Sequence, residues 1–226
     1  YKKWSGRVKL MVGVPAIEAP SWWFVLAMQG IAYPPNWTKQ NQIVWGREVG
    51  DARNHIVEQA IKANAEYLLF LDDDTMPPPN LFIKLLSLKK DIASGLYCTK
   101  TLPSYPLIFE REGEGCFGDW KLGDLVRVWG CGMGATLINM RVFTEGKIEK
   151  PYFKTERLAA YKDPETQGWY YRSGTEDLYF LDKAMHAGYE TYVDTSLHCY
   201  HFDRNSGMMY PFGTFEEWYE RGDWRT

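Results

Sequence analysis

The sequence lacks the cysteine patterns that mark zinc-binding and disulfide-rich proteins. Its 226 residues contain 4 cysteines, and no two of them have the C-x-x-C spacing of a structural zinc site. A chain of this length can also bury a sufficient core without disulfides. We therefore expect free thiols at Cys98, Cys116, Cys131 and Cys199, as is usual in the cytoplasm.

Phosphate-loop and membrane-spanning patterns are missing as well. No G-x-x-x-x-G-K-[ST] segment occurs, which excludes a P-loop. The longest apolar stretch, residues 21–33, is too short to span a bilayer and lacks the flanks of a signal peptide. We therefore predict a cytoplasmic protein without a transmembrane segment. A peripheral membrane contact through the aromatic residues 211–224 is the weaker alternative.

The chain is also short of basic clusters. Its net charge is −3 and it has no long basic run, so we predict no dedicated nucleic-acid surface. Aromatic residues are plentiful instead, at 16% of the chain, with 10 Trp and 15 Tyr. Most of these rings should pack in the core, and the remainder can form stacking surfaces for sugars or bases.

Strands and helices alternate in the first third of the chain. Aliphatic and β-branched runs predict strands at residues 7–16, 41–46 and 66–72. Helical patterns at residues 21–30 and 51–65 lie between them, with Ser21 and Asp51 suited to their N-termini. This β-α-β-α-β order predicts an α/β fold, with a central, mostly parallel sheet flanked by helices.

The remainder of the chain is less regular. Residues 126–143 predict a strand, a glycine-rich turn and another apolar run, and residues 144–174 form a long polar and aromatic excursion. A helix over 175–188 that ends at a glycine, and a last strand over 189–196, complete the pattern. We expect one domain over residues 1–226.

Three consecutive aspartates end the strand predicted at residues 66–72. Asp72, Asp73 and Asp74 follow the apolar run YLLFL, and partly desolvated carboxylates are costly without a positive partner. If the extended geometry continues, Asp72 and Asp74 point to the same side. Ligands bind at the carboxyl ends of strands in open α/β sheets. Two carboxylates there suit Mg²⁺ or Mn²⁺ shared with phosphate oxygens.

Other interpretations of the aspartates can be tested by spacing. An EF-hand loop needs an oxygen ligand where Met76 stands. The D-x-D-x-T/V motif of haloacid dehalogenase-type phosphatases also meets Met76, which leaves that class a weak rival. Capping of the helix after Pro77 would explain one aspartate better than three.

Two later segments carry further candidates. Glu176 and Asp177 follow Thr175 at a helix start, where the helix dipole alone would favour acidic residues. His198 and His201 lie just past the last predicted strand. A histidine after a strand is more often structural than a metal ligand. A divalent-cation site nearby favours the ligand interpretation.

In this order the motifs resemble the GT-A glycosyltransferases, in particular the family 2-like inverting enzymes. The resemblance covers residues 7–201 and is carried by short segments: VGVPA, ARN, FLDDDT, WGCGMGATLINMRVF, TED and VDTSLHCYH. It implies a nucleotide-diphosphate sugar as donor, Mn²⁺ or Mg²⁺ as cofactor, and a hydroxyl acceptor on a glycan, lipid, protein or small molecule. It also implies a nucleotide-binding half at 1–98, an acceptor and catalytic half at 99–201, and a tail at 202–226.

The resemblance assigns roles in donor binding. It places Pro15 and Ala16 against the nucleotide base and Arg53 near the base or diphosphate. Asp72 contacts the ribose or the metal. Asp73 stands where the family often has a smaller or apolar residue, so the pair 73/74 competes with 72/74 for the donor.

The resemblance also assigns the chemistry. Asp74 and His201 match metal ligands, with His198 as the competing histidine. Asp177 matches the catalytic base and Glu176 its catalytic neighbour. The turn of Gly132 to Gly134 matches the part near the donor sugar and the acceptor. Apart from the resemblance, four aromatic residues are candidates either for a platform that stacks on a sugar acceptor or for packing: Trp129, Trp169, Tyr170 and Tyr171.

Three rival functions remain open at this point. A retaining GT-A transferase would carry similar motifs. A sugar-phosphate nucleotidyltransferase would carry a glycine-rich, basic signature after the first strand, which VGVPAIEAPS lacks. A carbohydrate-binding module of the same fold would have no use for a base at Asp177.

Overall fold

The computed structural model describes residues 8–112, 115–162 and 169–211, with the backbone alone for 157–162 and 169–173. The helices of this part are α1 Trp22–Gly30, α2 Val49–Lys62, α3 Leu81–Ser87, α4 Arg141–Thr144 and α5 Glu176–His186. The strands are β1 Leu10–Ala16, β2 Lys39–Trp45, β3 Tyr67–Leu71, β4 Thr75–Met76, β5 Ile92–Leu96, β6 Ile108–Phe109, β7 Leu125–Val128, β8 Gly130–Cys131, β9 Ala135–Asn139, β10 Glu156–Lys162, β11 Trp169–Gly174, β12 Thr191–His198, β13 Tyr200–Phe202 and β14 Met209–Tyr210.

Seven strands form a central mixed sheet in the order β2-β1-β3-β9-β5-β12-β7. β1 is parallel to β2 and β3, and β5 is parallel to β12. β9 runs antiparallel between β3 and β5, and β7 is an antiparallel edge. The predicted α/β fold with a mostly parallel sheet and flanking helices is confirmed. The apolar run that follows the glycine turn is the antiparallel strand β9.

The core fills both faces of the sheet. On one face, α1 and α3 pack Phe24 and Phe82 against β1, β3 and β9. On the other, α2 and α5 pack Ile56 and Phe180 against the same sheet. α2 lies so close to β1 that a Cβ at Gly13 would overlap the Ile56 side chain. Continuous apolar strands buried from both sides are what a parallel sheet requires.

α1 and α2 begin after residues whose side chains accept a capping hydrogen bond. Ser21 accepts a hydrogen bond from Phe24 N (3.1 Å), as predicted for α1. α2 begins at Val49, two residues before the predicted Asp51, because Glu48 is its N-cap and accepts from Asp51 N (3.1 Å). α5 opens with Glu176 after Thr175 and ends before Gly188, whose φ of +88° favours glycine.

A small sheet brings the C-terminal region to the aspartates. β13 pairs with β4 and with β14, in the order β14-β13-β4. Its register sets His201 opposite Thr75 and Tyr200 opposite Met76. In the ranges described, no helix combines the length and apolar character needed to cross a membrane.

Candidate functional site

The three aspartates leave the sheet in a turn. β3 ends at Leu71, and Thr75 N donates to Asp72 O (2.9 Å), so the extended geometry stops there. Asp72 N donates to Gly134 O (3.0 Å), which fixes the turn against the start of β9. The alternation expected for Asp72 and Asp74 therefore does not apply, and each aspartate has a different protein partner.

Arg53 joins the first aspartate to the acidic start of α5. This residue projects from α2 and is 1% exposed. Its Nη2 lies 2.9 Å from the Asp72 carboxylate, and its Nε donates to Glu176 Oε1 at 3.1 Å. Burial acts to lower the pKa of Arg53, but Asp72 and Glu176 outweigh it and raise the pKa. The guanidinium is therefore a fixed positive charge that joins the aspartates, 19 residues from Arg53 in sequence, to the start of α5, 123 residues from it.

The acids around Arg53 outnumber it. Burial raises the pKa of Asp72, Glu176 and Asp177, and their mutual repulsion adds to that shift. Asp177 accepts a hydrogen bond from Leu178 N (2.8 Å), which helps to hold it as a carboxylate at the helix N-terminus. Carboxyl groups with raised pKa values are candidates for proton transfer.

Asp73 pairs with an arginine from the C-terminal region. Arg204 Nη2 donates to Asp73 Oδ2 at 2.6 Å, and Arg204 Nη1 donates to Ala19 O at 2.7 Å. Burial raises the pKa of Asp73 to about 6, against the opposing charge of Arg204. Arg204 thereby ties the loop after β1 to the aspartate turn.

Asp74 has a lysine and a histidine beside one oxygen. Lys100 Nζ lies 2.6 Å from Asp74 Oδ2, and His201 Nε2 lies 3.4 Å from the same atom. Burial acts to raise the pKa of Asp74, but the hydrogen bonds and charges of His201 and Lys100 lower it to about 2. His201 Nδ1 lies 2.7 Å from Cys98 O. The structure therefore brings His201 to Asp74, whereas His198 ends β12 opposite Leu96.

A cavity of about 140 Å³ opens beside the aspartates. It is lined by the predicted base-contacting residues Pro15 and Ala16, by all three aspartates, and by Ile17, Arg47 and Val49. A larger cavity of about 300 Å³ lies at the opposite end of the sheet, around Lys90 and Tyr192, and contains no predicted site residue. The smaller cavity is the candidate site because the titratable groups converge on it.

The glycine turn packs tightly on the aspartate turn. Gly134 N donates to Tyr97 Oη (2.8 Å), and a Cβ at Gly132 would overlap that hydroxyl. A Cβ at Gly134 would lie 2.5 Å from Thr75 Oγ1 and 3.1 Å from Asp72 Oδ2. Glycine is therefore required for this close approach, which sets the turn of Gly132 to Gly134 next to the site, as its predicted role needs.

The charges of the site do not balance. Five carboxylates, of Asp72, Asp73, Asp74, Glu176 and Asp177, face three paired cations, of Arg53, Lys100 and Arg204. Two of these carboxylates have no paired cation, and Arg47 lies at the edge of the cavity. One divalent cation or two protons would neutralise the two carboxylates.

Two buried hydrogen-bonding atoms at the site also lack a partner among the described residues. Arg53 Nη1 and Thr75 Oγ1 are buried without a hydrogen-bond partner among the described residues. Buried polar atoms of this kind are normally satisfied by water or a ligand.

The residues fit a divalent cation in part. Asp74 and His201 offer two ligands on one side of the turn, and the Nδ1 contact to Cys98 O is the usual outer contact of a ligating histidine. No cluster of three or more protein ligands occurs in the part of the chain that the structure describes. A cation here would share its shell with substrate oxygens, as Mg²⁺ and Mn²⁺ commonly do.

Sequence reasoning missed the cations that neutralise the aspartates. Lys100 and Arg204 belong to no motif, since their contacts join distant parts of the chain. Arg47, which lines the cavity, was missed as well. The hydroxyl of Tyr97 was also missed. Of the suggested platform residues, Trp129 Nε1 donates to Asp182 on α5 (3.0 Å). The side chains of the other three, Trp169, Tyr170 and Tyr171, lie outside the described residues.

The seven-stranded mixed sheet with helices on both faces is an α/β fold that solved structures share. No protein-family model and no curated protein matches the sequence. Among solved structures, A197 from STIV is similar with a TM-score of 0.61 at 20% identity, over 90% of this chain and 93% of that chain. S. aureus TarS in complex with UDP-GlcNAc is similar with a TM-score of 0.51 at 14% identity, over 87% of this chain and 59% of that chain.

Proposed function

We propose that this chain is a metal-dependent glycosyltransferase that moves a sugar from a nucleotide-diphosphate donor to an acceptor hydroxyl, with inversion. The observation that carries the proposal is a cavity lined by Asp72, Asp73 and Asp74 at the carboxyl end of β3. Buried Arg53 links Asp72 of this cavity to Glu176 of the second acidic motif. Ligands bind at this position in open α/β sheets. The fold neighbour TarS, crystallised with UDP-GlcNAc, supports a nucleotide sugar as the donor.

Each part of the donor has a matching group in the site. Pro15, Ala16 and Val49 give the cavity an apolar wall for the nucleotide base, and Arg47 lies at its edge for phosphate oxygens. Asp74 and His201 would hold the cation, with Asp72 as a ribose or metal contact and Asp73 locked to Arg204. A bound Mn²⁺ or Mg²⁺ would stabilise the negative charge of the leaving nucleotide diphosphate as a Lewis acid.

Asp177 is the base in this proposal. Glu176 is held by Arg53, so its carboxylate is already occupied by a buried ion pair. Asp177 lies beside it, with a raised pKa caused mainly by burial, and can accept the proton of an attacking hydroxyl. Glu176 then acts as a positioning residue for Arg53. One base and one leaving-group site on opposite sides of the anomeric carbon would give single displacement with inversion.

Two other functions stay in view as outcomes of the tests. A retaining transferase would use the same donor groups without Asp177 as a base. A carbohydrate-binding module would bind a nucleotide or sugar without turnover. The acceptor class, whether glycan, lipid, protein or small molecule, would be identified by transfer assays once the donor is known.

Calorimetry tests the donor site. Four nucleotides, UDP, GDP, CDP and dTDP, are titrated into the wild type and into the Asp74→Ala variant. Each titration is done once with Mn²⁺ and once with EDTA. Asp119→Ala, which removes an exposed aspartate, is the matched control. We expect one nucleotide to bind, to need Mn²⁺, and to lose at least tenfold affinity in Asp74→Ala, since Asp74 is the anionic cation ligand.

The control variant should bind that nucleotide like the wild type. If none of the four nucleotides binds under any condition, the donor-site proposal is wrong. The phosphatase and the non-catalytic module then become the leading explanations.

A further inference from the structure

The partners of Asp74 differ from those of the other site acids in how firmly they are held. Arg53 is buried and shared by two acids, and Arg204 is held by a second contact to Ala19 O. The side chain of Lys100 is 31% exposed and reaches Asp74 from the segment after β5. A lysine ammonium on a flexible stem exchanges partners more readily than a forked guanidinium.

Lys100 occupies the side of Asp74 that a cation would use. Its Nζ lies 2.6 Å from Asp74 Oδ2, the same oxygen that faces His201 Nε2 at 3.4 Å. Since Cys98 O can only accept, His201 Nδ1 carries a hydrogen. Nε2 is therefore the ring nitrogen that faces Asp74 and the one available to ligate a cation. A carboxylate oxygen and an imidazole nitrogen that face each other can hold a cation as two ligands, and the Lys100 ammonium lies at the carboxylate of this pair.

We infer that Lys100 is a displaceable internal counter-ion that neutralises Asp74 until a divalent cation binds and releases it. This inference rests on the proposed cation position of Asp74 and His201. It follows from charge competition, because Asp74 Oδ2 cannot hold the ammonium at 2.6 Å and a metal ion at full strength together. Lys100 carries the same sign of charge as the metal and contacts the same oxygen. It therefore weakens metal binding, even though it lies in the donor site.

The test is a titration with Mn²⁺ alone, without nucleotide. Binding is measured by calorimetry and by the electron paramagnetic resonance signal of free Mn²⁺. The variants are Lys100→Met, which removes the charge, and Lys100→Arg, which keeps it. Lys84→Met removes an exposed lysine from α3 as the matched control. We expect Lys100→Met to bind Mn²⁺ about tenfold more tightly, which corresponds to about 1.4 kcal/mol. Lys100→Arg and Lys84→Met should stay near the wild-type affinity.

Two further measurements make the outcomes decisive. Thermal unfolding of Lys100→Met shows whether the variant is folded, and Asp74→Ala in the Lys100→Met background should abolish the tight Mn²⁺ binding. Equal or weaker Mn²⁺ binding by Lys100→Met, still dependent on Asp74, would overturn the inference and leave the metal site standing. Absence of Asp74-dependent Mn²⁺ binding in both wild type and Lys100→Met would overturn the inference together with the metal part of the proposed function.

Discussion

The buried ion pairs around Arg53 and the outer pair of Lys100 with Asp74 use similar chemistry for different purposes. The side chain of Arg53 is 2% exposed and bridges Asp72 and Glu176, whereas the side chain of Lys100 is 31% exposed beside Asp74. A buried charge must keep its partners, because the desolvated group left behind is costly. A partly exposed pair can exchange partners at little cost. The site therefore has two parts. Arg53, Asp72 and Glu176 form a fixed buried frame, and Lys100 and Asp74 form an exchangeable pair.

Removal of Arg53 should have the largest effect on the fold. Arg53→Met leaves Asp72 and Glu176 without their shared cation, and we expect a loss of about 3–5 kcal/mol in the free energy of unfolding. Urea denaturation followed by circular dichroism measures it. Arg53→Lys, which restores one charge without the fork, should recover part of the loss. A loss below about 1 kcal/mol for Arg53→Met would show that the buried frame does not exist.

Replacement of the proposed base Asp177 should stop sugar transfer and leave donor binding unchanged. Asp177→Asn keeps the shape of the side chain and removes its ability to accept a proton. We expect transfer to fall about 10³-fold, while the Kd of the nucleotide in calorimetry stays unchanged. Asp182→Asn, one turn later on α5, is the matched control. Transfer at the wild-type rate by Asp177→Asn would assign the base elsewhere and favour a retaining reaction.

A side chain placed between the turn of Gly132 to Gly134 and Tyr97 should destabilise the protein. A Cβ at Gly132 overlaps the Tyr97 hydroxyl, and Gly132→Ala should therefore destabilise the protein by about 1–3 kcal/mol. Gly30→Ala is the control, since a Cβ at Gly30 meets nothing within 4 Å. Thermal unfolding of the two variants distinguishes them. Equal melting temperatures would mean that the turn does not pack on Tyr97.

The outer pair at Asp73 should contribute least. Arg204→Met removes a partner whose side chain is 27% exposed, and we expect a loss of about 1 kcal/mol or less in the free energy of unfolding. The same urea experiment as for Arg53→Met gives the direct comparison. A loss as large as that of Arg53→Met would mean that a partly exposed ion pair of this site stabilises the fold as much as the buried pairs of Arg53.

The fold was predictable where local patterns decide structure. The order from β1 to β3 follows from apolar runs, and Ser21 marks the start of α1 by its capping hydrogen bond. The direction of β9 was not predictable in this way, because a strand's direction in the sheet depends on the path of the whole chain. The N-terminus of α2 was missed by two residues, since glutamate at Glu48 is a less usual N-cap than aspartate at Asp51.

The site was predictable only in its acidic half. The run of Asp72 to Asp74 is visible in sequence because an apolar strand precedes it. Its cations are not, since Lys100 lies 26 residues from Asp74 and Arg204 lies 131 residues from Asp73. The choice of His201 over His198 depends on the pairing of β13 with β4, which no local pattern specifies.

The most direct measurement is an anomalous difference map from a crystal grown with Mn²⁺ and the nucleotide that binds best in calorimetry. We expect one strong Mn²⁺ peak in contact with Asp74 and His201, the Lys100 ammonium moved away from Asp74, and Arg53 still bound to Asp72 and Glu176. A Mn²⁺ peak elsewhere, or Lys100 still on Asp74 beside a bound nucleotide, would contradict the division of this site into a fixed buried frame and an exchangeable cation position.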